Sequence, residues 1–304
     1  MKQPLSNHPF NNRKLRIAEY TMPVLLFLCA FISVLTTIGI VYTLFSESIS
    51  FFKEISMSEF FTGTKWAPLI APTSFGVLPL LMGTFLVTII AMLIALPIGL
   101  ASAIYLSEYA SARVKKVVKP VLEVLAGVPT IVYGYFALSF ISPILQTLIP
   151  GAGLFSALSA GIAVGVMIIP MISSLSEDAM RAVPKSLRYG AYALGATRLE
   201  VALQVVLPAA LSGVISSFVL AFSRAIGETM IVTIAAGATP QMTGNPLNSI
   251  QTMTSYIVQV SLGDTPHGSL AYGSIFAVGL TLFVITFFLN ILASAIAKRF
   301  REAY

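Results

Sequence analysis

Long apolar stretches are the feature that most constrains how this chain can fold. The first, residues 21–45, carries no charged side chain over roughly 25 residues, which is enough for a helix to cross the hydrocarbon core of a bilayer. Further apolar stretches of similar length lie at residues 76–105, 121–145, 154–175, 209–237 and 269–296. We therefore predict an all-α polytopic membrane protein with six transmembrane helices.

The composition supports this prediction and excludes several other classes of protein. Hydrophobic residues make up 57% of the chain and charged residues only 10%, whereas a soluble domain has about 25% charged residues. The single cysteine, Cys29, lies inside an apolar stretch, so we expect no disulfide framework. The net charge of +6 is spread over several short loops, which is typical of membrane topology and not of a nucleic-acid-binding surface. The His and carboxylate spacings of a metal site are not found.

The distribution of Lys and Arg predicts the orientation of the chain in the membrane. Basic residues cluster in both tails, in the loop after the second apolar stretch and in residues 179–208, whereas the alternate loops hold only Lys53 and Lys65. Because cytoplasmic loops carry the excess of positive charge, both termini are predicted to be cytoplasmic.

This orientation divides the chain into four regions. Residues 1–20 form a cytoplasmic tail, and residues 21–73 form the first transmembrane helix and an extracytoplasmic segment at the membrane interface. The interfacial prediction for residues 46–73 rests on Phe and Trp side chains mixed with a few charges. Residues 74–297 form the transmembrane domain, with cytoplasmic coupling helices at 179–208, and residues 298–304 form a cytoplasmic tail.

The segment VPKSLRYGAYALGATRLEVALQVVLP, residues 183–208, is the longest charged, helix-forming interruption between apolar stretches. Pro184 suits a first helical turn, and Gly195 suits the left-handed position that ends a helix. Thr197 and Glu200 have the spacing of a capping box, which predicts a second helix up to Pro208. We expect this helix–glycine–helix element to dock into another polypeptide.

Two charged residues lie inside the fifth predicted span. Arg224 is about 22 Å along that helix at 1.5 Å per residue, and intramembrane charges usually face a bundle interior or an aqueous path. Glu228 lies four residues further on, so the two share a helix face and can pair. One interpretation is a structural ion pair. We favour another, in which Arg224 binds a tetrahedral anion and Glu228 is its resting counter-ion, since apolar packing replaces a structural pair at lower cost.

The spacing Ala191-x3-Gly195-x9-Val205-x-Leu207-Pro208 resembles the Glu-Ala-Ala-x3-Gly-x9-Ile-x-Leu-Pro motif of permease subunits in binding-protein-dependent ABC importers. In that family the motif forms a coupling helix seated in a cleft of the ATPase subunit. The usual Glu-Ala is replaced here by Tyr-Gly, which puts a family salt bridge in doubt. The resemblance implies these ATPase-coupling residues: Tyr189, Gly190, Ala191, Gly195, Ala196, Thr197, Glu200, Leu207 and Pro208.

Three further stretches resemble the PstC-type permeases of high-affinity phosphate importers: FGVLPLLMGT at 75–84, AFSRAIGETM at 221–230 and SLGDTPHGSLAYGSIFAVGLTLFVITFFLN at 261–290. The resemblance implies a type I ABC importer permease in the bacterial inner membrane, lining a path for inorganic phosphate. It also implies that the motif residues Ser223, Arg224, Glu228 and Thr229 line that path.

The same resemblance implies the partners of the chain. They are a second permease of the PstA type, an ATPase dimer of the PstB type and an extracytoplasmic phosphate-binding protein of the PstS type, together with membrane lipid and no nucleic acid. The GxxxxGK[ST] spacing that cradles nucleotide phosphates does not occur in the sequence. We therefore expect no cofactor on this chain, no enzymatic activity of its own, and ATP hydrolysis by the partner ATPase.

Two alternatives remain open at this stage. The chain could be an ABC permease for another oxyanion, such as sulfate or molybdate, which anion competition in an uptake assay distinguishes. It could instead be an ion-gradient-driven carrier or channel without an ATPase. The docking element at residues 183–208 argues against the second alternative, and no nucleophile–base set supports a membrane enzyme.

Overall fold

The computed structural model describes residues 13–299, so most of the first predicted tail and residues 300–304 of the last lie outside the described residues. Its helices are α1 Arg13–Glu54, α2 Met57–Thr62, α3 Leu78–Ile104, α4 Ala112–Gly127, α5 Thr130–Phe136, α6 Ser142–Leu148, α7 Ala157–Ala182, α8 Lys185–Ala193, α9 Arg198–Glu200, α10 Leu207–Ala209, α11 Leu211–Ile226, α12 Met230–Ala235, α13 Met253–Leu262 and α14 Leu270–Arg299. Three π-helical segments continue α3, α5 and α9, and they are Tyr105–Tyr109, Ala137–Ile141 and Val201–Val206. Two short antiparallel strands also pair, β1 Trp66–Ala67 and β2 Ser74–Phe75.

Helices long and apolar enough to cross a membrane account for most of the described chain. Five of them are Thr21–Glu54, Leu78–Tyr109, Thr130–Leu148, Ala157–Ala182 and Leu270–Ile296. A sixth crossing is provided by a bent pair, Arg198–Ala209 and Leu211–Ile226, with 73° between its halves. The predicted all-α, six-span architecture is confirmed when this bent pair counts as one span.

Several predicted boundaries are wrong. Residues 46–54 continue α1 beyond the first apolar stretch, and Ser48 and Phe51 are buried against the rest of the fold. Their location at the membrane interface stays a prediction. The third span begins at Thr130 and not at residue 121, since Val128 and Pro129 interrupt the helix. The stretch before this break is α4, an amphipathic helix with no buried residue along its described length. The region 238–268, between the fifth and sixth apolar stretches, is not only a loop, because it contains the partly buried helix α13.

Aromatic side chains build a compact cap on the end of the bundle where α1 ends and α3 begins. Phe51, Phe60, Trp66, Phe75 and Tyr256 are all buried and meet edge to face. The ring centroids of Trp66 and Tyr256 lie 4.8 Å apart, within the range in which aromatic pairs add about 0.5–1.5 kcal/mol beyond area burial. The cap therefore joins α1, the short strands and α13 into one unit.

Small residues set the spacing between α3 and α7, the two helices at the centre of the fold. Gly161 and Gly165 on α7 lie directly against Ile90 and Ala91 on α3, where an added Cβ would come within 3.0 Å of these residues. Such residues let helix backbones approach closely in lipid, where packing and not the hydrophobic effect drives association. One face of α7 packs on α3, and another packs on α4 and α11.

Candidate functional site

The fifth predicted span is not one continuous helix. α11 ends at Ile226, and α12 begins at Met230 after a short non-helical break. At this break the Glu228 side chain is buried, and its Oε1 accepts hydrogen bonds from the backbone N–H groups of Met230 (3.1 Å) and Ile231 (3.3 Å). Its backbone oxygen accepts a hydrogen bond from Thr254 Oγ1 at 2.7 Å. Glu228 therefore caps α12 and ties the break to α13.

Arg224 lies on the last turn of α11, away from that cap. Its Nη2 is 3.6 Å from Met167 Sδ on α7, and none of the ion pairs within the described chain includes it. The predicted pair between Arg224 and Glu228 is wrong, because the helix ends between them and they no longer share a face. The guanidinium is left without a carboxylate partner in the part of the chain that the structure describes.

The two hydroxyl residues of the predicted path make helix contacts. Ser223 Oγ donates to Asn290 Oδ1 on α14 at 2.7 Å, which ties α11 to the last helix. Thr229 Oγ1 donates to the Gly227 oxygen at 3.1 Å. Of the four residues predicted to line a path, only Arg224 lies on the cavity described next. No sequence pattern singles out Asn290, the partner of Ser223.

A cavity of about 470 Å³ lies between α4, α7 and α11. Met167 and Arg224 line one part of it, and Lys119, Glu123 and Glu177 contribute its other charged groups. The remaining lining is mainly apolar, so electrostatic interactions inside it are less screened than in water. A mainly apolar cavity with a few convergent polar groups is typical of a site for a small ligand.

Glu177 is the most buried charged group of this cavity, and its side chain is 0% exposed. It pairs with Lys119 Nζ on α4, and Arg181 Nη1 lies 3.5 Å from its Oε1. Lys119 Nζ is also 3.6 Å from Asp178 Oδ1. No sequence motif identifies this cluster of charges. Only the i,i+4 spacing of Glu177 and Arg181 signalled it, because Lys119 approaches from a helix 58 residues earlier in the chain.

Residues 183–208, which we call the coupling segment, follow α7 and have the local structure that the sequence predicts. α8 follows Pro184 directly, and Gly195 adopts a left-handed backbone with φ of +87°. Thr197 and Glu200 form the capping box: the Glu200 N–H donates to Thr197 Oγ1 at 3.4 Å, and the Thr197 N–H donates to Glu200 Oε2 at 2.7 Å. The helix that follows continues through the π-helical turn to Ala209.

The coupling segment has an inner face and an outer face. Ala191, Ala196 and Leu207 pack against a buried cluster at the end of α7, and Pro208 lies in the first turn of α10. On the outer side, Tyr189 is 66% and Leu194 90% exposed. Gly190 and Gly195 have open space where a side chain would be. An exposed apolar tip of this kind is typical of a protein–protein contact.

Residues 95–302 match the model of a protein family described as the inner membrane component of binding-protein-dependent transport systems. The match covers more than half of the chain. The chain belongs to this family. It is accordingly a multi-pass inner-membrane permease, the class that the coupling segment predicts.

Curated relatives extend over most of this permease. It is 38% identical over 274 residues to the probable ABC transporter permease protein YqgH of Bacillus subtilis, covering 89% of this chain and 88% of that one. It is 33% identical over 280 residues to the phosphate transport system permease protein PstC of Mesorhizobium japonicum, covering 86% and 84%. A PstC of Haemophilus influenzae is 32% identical over 262 residues, covering 80% and 82%.

Solved structures share the fold of this permease. A bacterial alginate ABC transporter, in complex with a periplasmic protein bound to alginate pentasaccharide, aligns with a TM-score of 0.66 at 13% identity, covering 96% of this chain and 99% of that one. The inward-facing MetNI methionine ABC transporter aligns with a TM-score of 0.55 at 17% identity, covering 75% and 95%. These likenesses confirm the predicted ABC importer permease fold.

Proposed function

We propose that this permease forms, together with a second permease subunit, the path by which an ATP-driven transporter imports inorganic phosphate. The single observation that carries the proposal is the Arg224 guanidinium on the cavity between α4, α7 and α11, which has no ion-pair partner in the described chain. The similarity to PstC permeases of phosphate transport systems supports phosphate as the anion.

The chemistry of Arg224 suits a tetrahedral oxyanion. Its planar guanidinium presents a fork of N–H donors, and two parallel hydrogen bonds to phosphate oxygens are short and charge-assisted. Because Glu228 is engaged in capping α12, an entering anion does not have to displace it from Arg224. The unpaired Arg224 therefore captures the anion directly, whereas the sequence predicts that the anion exchanges with Glu228 at Arg224.

We assign each proposed partner to a different part of the molecule. In our proposal an ATPase dimer binds the apolar tip of the coupling segment in the cytoplasm and supplies ATP hydrolysis. Because the chain has six spans and this segment lies between the fourth and the fifth, both termini are on the same side as the segment and are cytoplasmic. A second permease covers the exposed side of Arg224 and α4. An extracytoplasmic phosphate-binding protein docks at the opposite end, near the aromatic cap. No nucleotide is bound by this chain.

Two stretches of continuous chain connect the coupling segment, where we propose that the ATPase binds, to the helices that line the cavity. α9, its π-helical continuation and α10 lead into α11 through a 73° bend, and α11 carries Arg224. α8 follows α7 after only Val183 and Pro184, and α7 carries Met167 and Glu177. A displacement of the coupling segment therefore moves two of the three helices that line the cavity.

The test is phosphate uptake by proteoliposomes that contain the complete transporter. We expect Arg224→Gln to lower uptake about tenfold or more, because a charge-assisted hydrogen bond contributes about 1.5–3 kcal/mol. Arg113→Gln is the matched control, since Arg113 is an exposed arginine on α4 that does not line the cavity. Wild-type uptake by the Arg224→Gln transporter would remove Arg224 from the path. Inhibition of wild-type uptake by excess sulfate or molybdate, but not by phosphate analogues, would assign the path to another oxyanion.

A further inference from the structure

The cavity that holds Arg224 also holds a second cation, Lys119. We infer that Lys119 is a second anion-binding residue of the same path, held in the resting state by Glu177 as its counter-ion. This inference rests on the proposed function, because it assigns a further contact to the anion that Arg224 first captures.

Arg224 and Lys119 contact α7 at two well-separated positions. Arg224 approaches this helix at Met167, and Lys119 approaches it at Glu177. These two positions are ten residues apart, or about 15 Å at 1.5 Å per residue. Because α7 leads directly into the coupling segment, Lys119 lies on the side of the cavity nearer to that segment. An anion that leaves Arg224 toward the coupling segment meets Lys119 next.

The environment of Glu177 is that of a counter-ion and not of a solvated surface residue. Its side chain is fully buried, and apart from its ion pairs neither carboxylate oxygen has a hydrogen-bond partner in the described structure. Buried carboxylates normally accept hydrogen bonds, because an unsatisfied charge in a low-dielectric site is costly. Among the residues that the structure describes, only Lys119 and Arg181 therefore compensate the charge of Glu177.

Arg181 makes an exchange at Lys119 possible. Removing the only partner of a buried charge is strongly destabilising. Here Arg181 Nη1 lies 3.5 Å from Glu177 Oε1, one helical turn away on α7, so Glu177 keeps a cation when Lys119 turns to another anion. A phosphate in the cavity can thus take over the Lys119 ammonium without leaving the carboxylate uncompensated.

Lys119 also has the freedom to make this exchange. Its side chain is 28% exposed and carries the ammonium on a flexible four-carbon stem. Lys119 is borne by α4, near the middle of that helix. Lys116 is an exposed lysine on the same helix that does not line the cavity, and it provides a matched control.

The first experiment measures equilibrium binding of radiolabelled inorganic phosphate to the purified transporter without its binding protein. We expect Lys119→Gln to weaken binding about tenfold, because a charge-assisted contact is lost, and Lys116→Gln to leave it unchanged. We expect Glu177→Gln to tighten binding, because Lys119 is then released from its counter-ion. If the pair between Lys119 and Glu177 is purely structural, phosphate binding is weaker or unchanged in Glu177→Gln as well as in Lys119→Gln. Either result for Glu177→Gln would overturn the inference.

The second experiment separates anion binding from stability. In the double variant Lys119→Gln/Glu177→Gln both charges of the pair are removed, so any assembly defect that Lys119→Gln causes despite Arg181 is expected to be relieved. If Lys119 binds the anion, phosphate uptake by the double variant stays as low as in Lys119→Gln. If the pair is only structural, uptake recovers together with assembly.

Failure of this inference is distinguishable from failure of the proposed function. Wild-type phosphate binding by the Lys119→Gln transporter, with impaired binding by Arg224→Gln, overturns only the role of Lys119. Wild-type binding by both variants, or no phosphate transport by the unmodified transporter, overturns the proposed function as well.

Discussion

The guanidinium of Arg188 contacts the carboxylate of Glu108, with Nη2 3.0 Å from Oε1. The two residues are 80 positions apart in the chain and join α8 to the π-helical end of α3. Arg188 also donates to the backbone oxygens of Met180 (2.8 Å) and Val183 (2.7 Å) at the end of α7. One side chain therefore fastens the coupling segment to both central helices.

This arrangement predicts the effect of Arg188→Gln. Because the change leaves Glu108 largely buried without its cation, we expect a loss of about 3 kcal/mol in stability and less ATPase co-purifying with the permease. Thermal unfolding of the detergent-solubilised transporter and its subunit ratio measure the two effects. Lys185→Gln removes an exposed charge from the same helix and should change neither. Equal unfolding temperatures and subunit ratios for the two variants would contradict the anchoring role.

Gly195 gives a second prediction, which depends on backbone conformation alone. Its φ is +87°, and nothing lies within 4 Å of the position of an added Cβ. We therefore expect Gly195→Val to cost about 1–2 kcal/mol through left-handed strain without any steric clash, and to lower uptake by disturbing the docking element. Gly195→Asn should be tolerated better, since Asn visits this region more readily. The control is Gly151→Val, at a second left-handed glycine with equally open space outside the coupling segment, which should cost similar stability without changing the amount of ATPase that co-purifies.

Glu228 provides a third prediction that separates capping from charge. Glu228→Gln keeps a side-chain oxygen that can accept from the Met230 and Ile231 N–H groups, so we expect uptake close to wild type. Glu228→Ala removes the acceptor and should cost about 1 kcal/mol, as loss of a helix cap does. Uptake rates and unfolding temperatures of both variants measure this. A strong change in phosphate affinity with Glu228→Gln would instead show that its charge acts on the anion.

Glu228 also shows where sequence reasoning reached its limit. The membrane spans and the capping box could be predicted because hydropathy and the pattern Thr197-x-x-Glu200 are local properties of the chain. The break after Ile226 could not, because the Glu228 oxygen accepts a hydrogen bond from Thr254 Oγ1, a tertiary contact across 26 residues. Spacing by four residues predicts an ion pair only where the helix is continuous.

The cavity shows the same limit. Arg224 was identifiable from the sequence because it is a cation inside an apolar stretch. Lys119 lies in the basic loop between the second and third apolar stretches, and no sequence motif singles out Glu177. The pair between Lys119 and Glu177 forms because α4, which ends just before the break at Val128 and Pro129, packs against α7. Contacts between distant segments are not encoded in local pattern, and half of this candidate site therefore required the structure.

A last prediction concerns the aromatic cap, where two adjacent phenylalanines differ sharply in burial. Phe60 is fully buried, and its ring centroid lies 5.9 Å from that of Phe51 and 6.2 Å from that of Trp66, whereas Phe61 is 45% exposed. We expect Phe60→Ala to cost about 3–5 kcal/mol, the usual cost of emptying a buried aromatic site. Phe61→Ala should cost about 1 kcal/mol, because it removes only peripheral ring contacts. Thermal unfolding of the two variants in detergent compares them directly. Because the cap joins α1 to α13, equal losses would mean that α1 is held by the membrane and its neighbouring helices and not by this cluster.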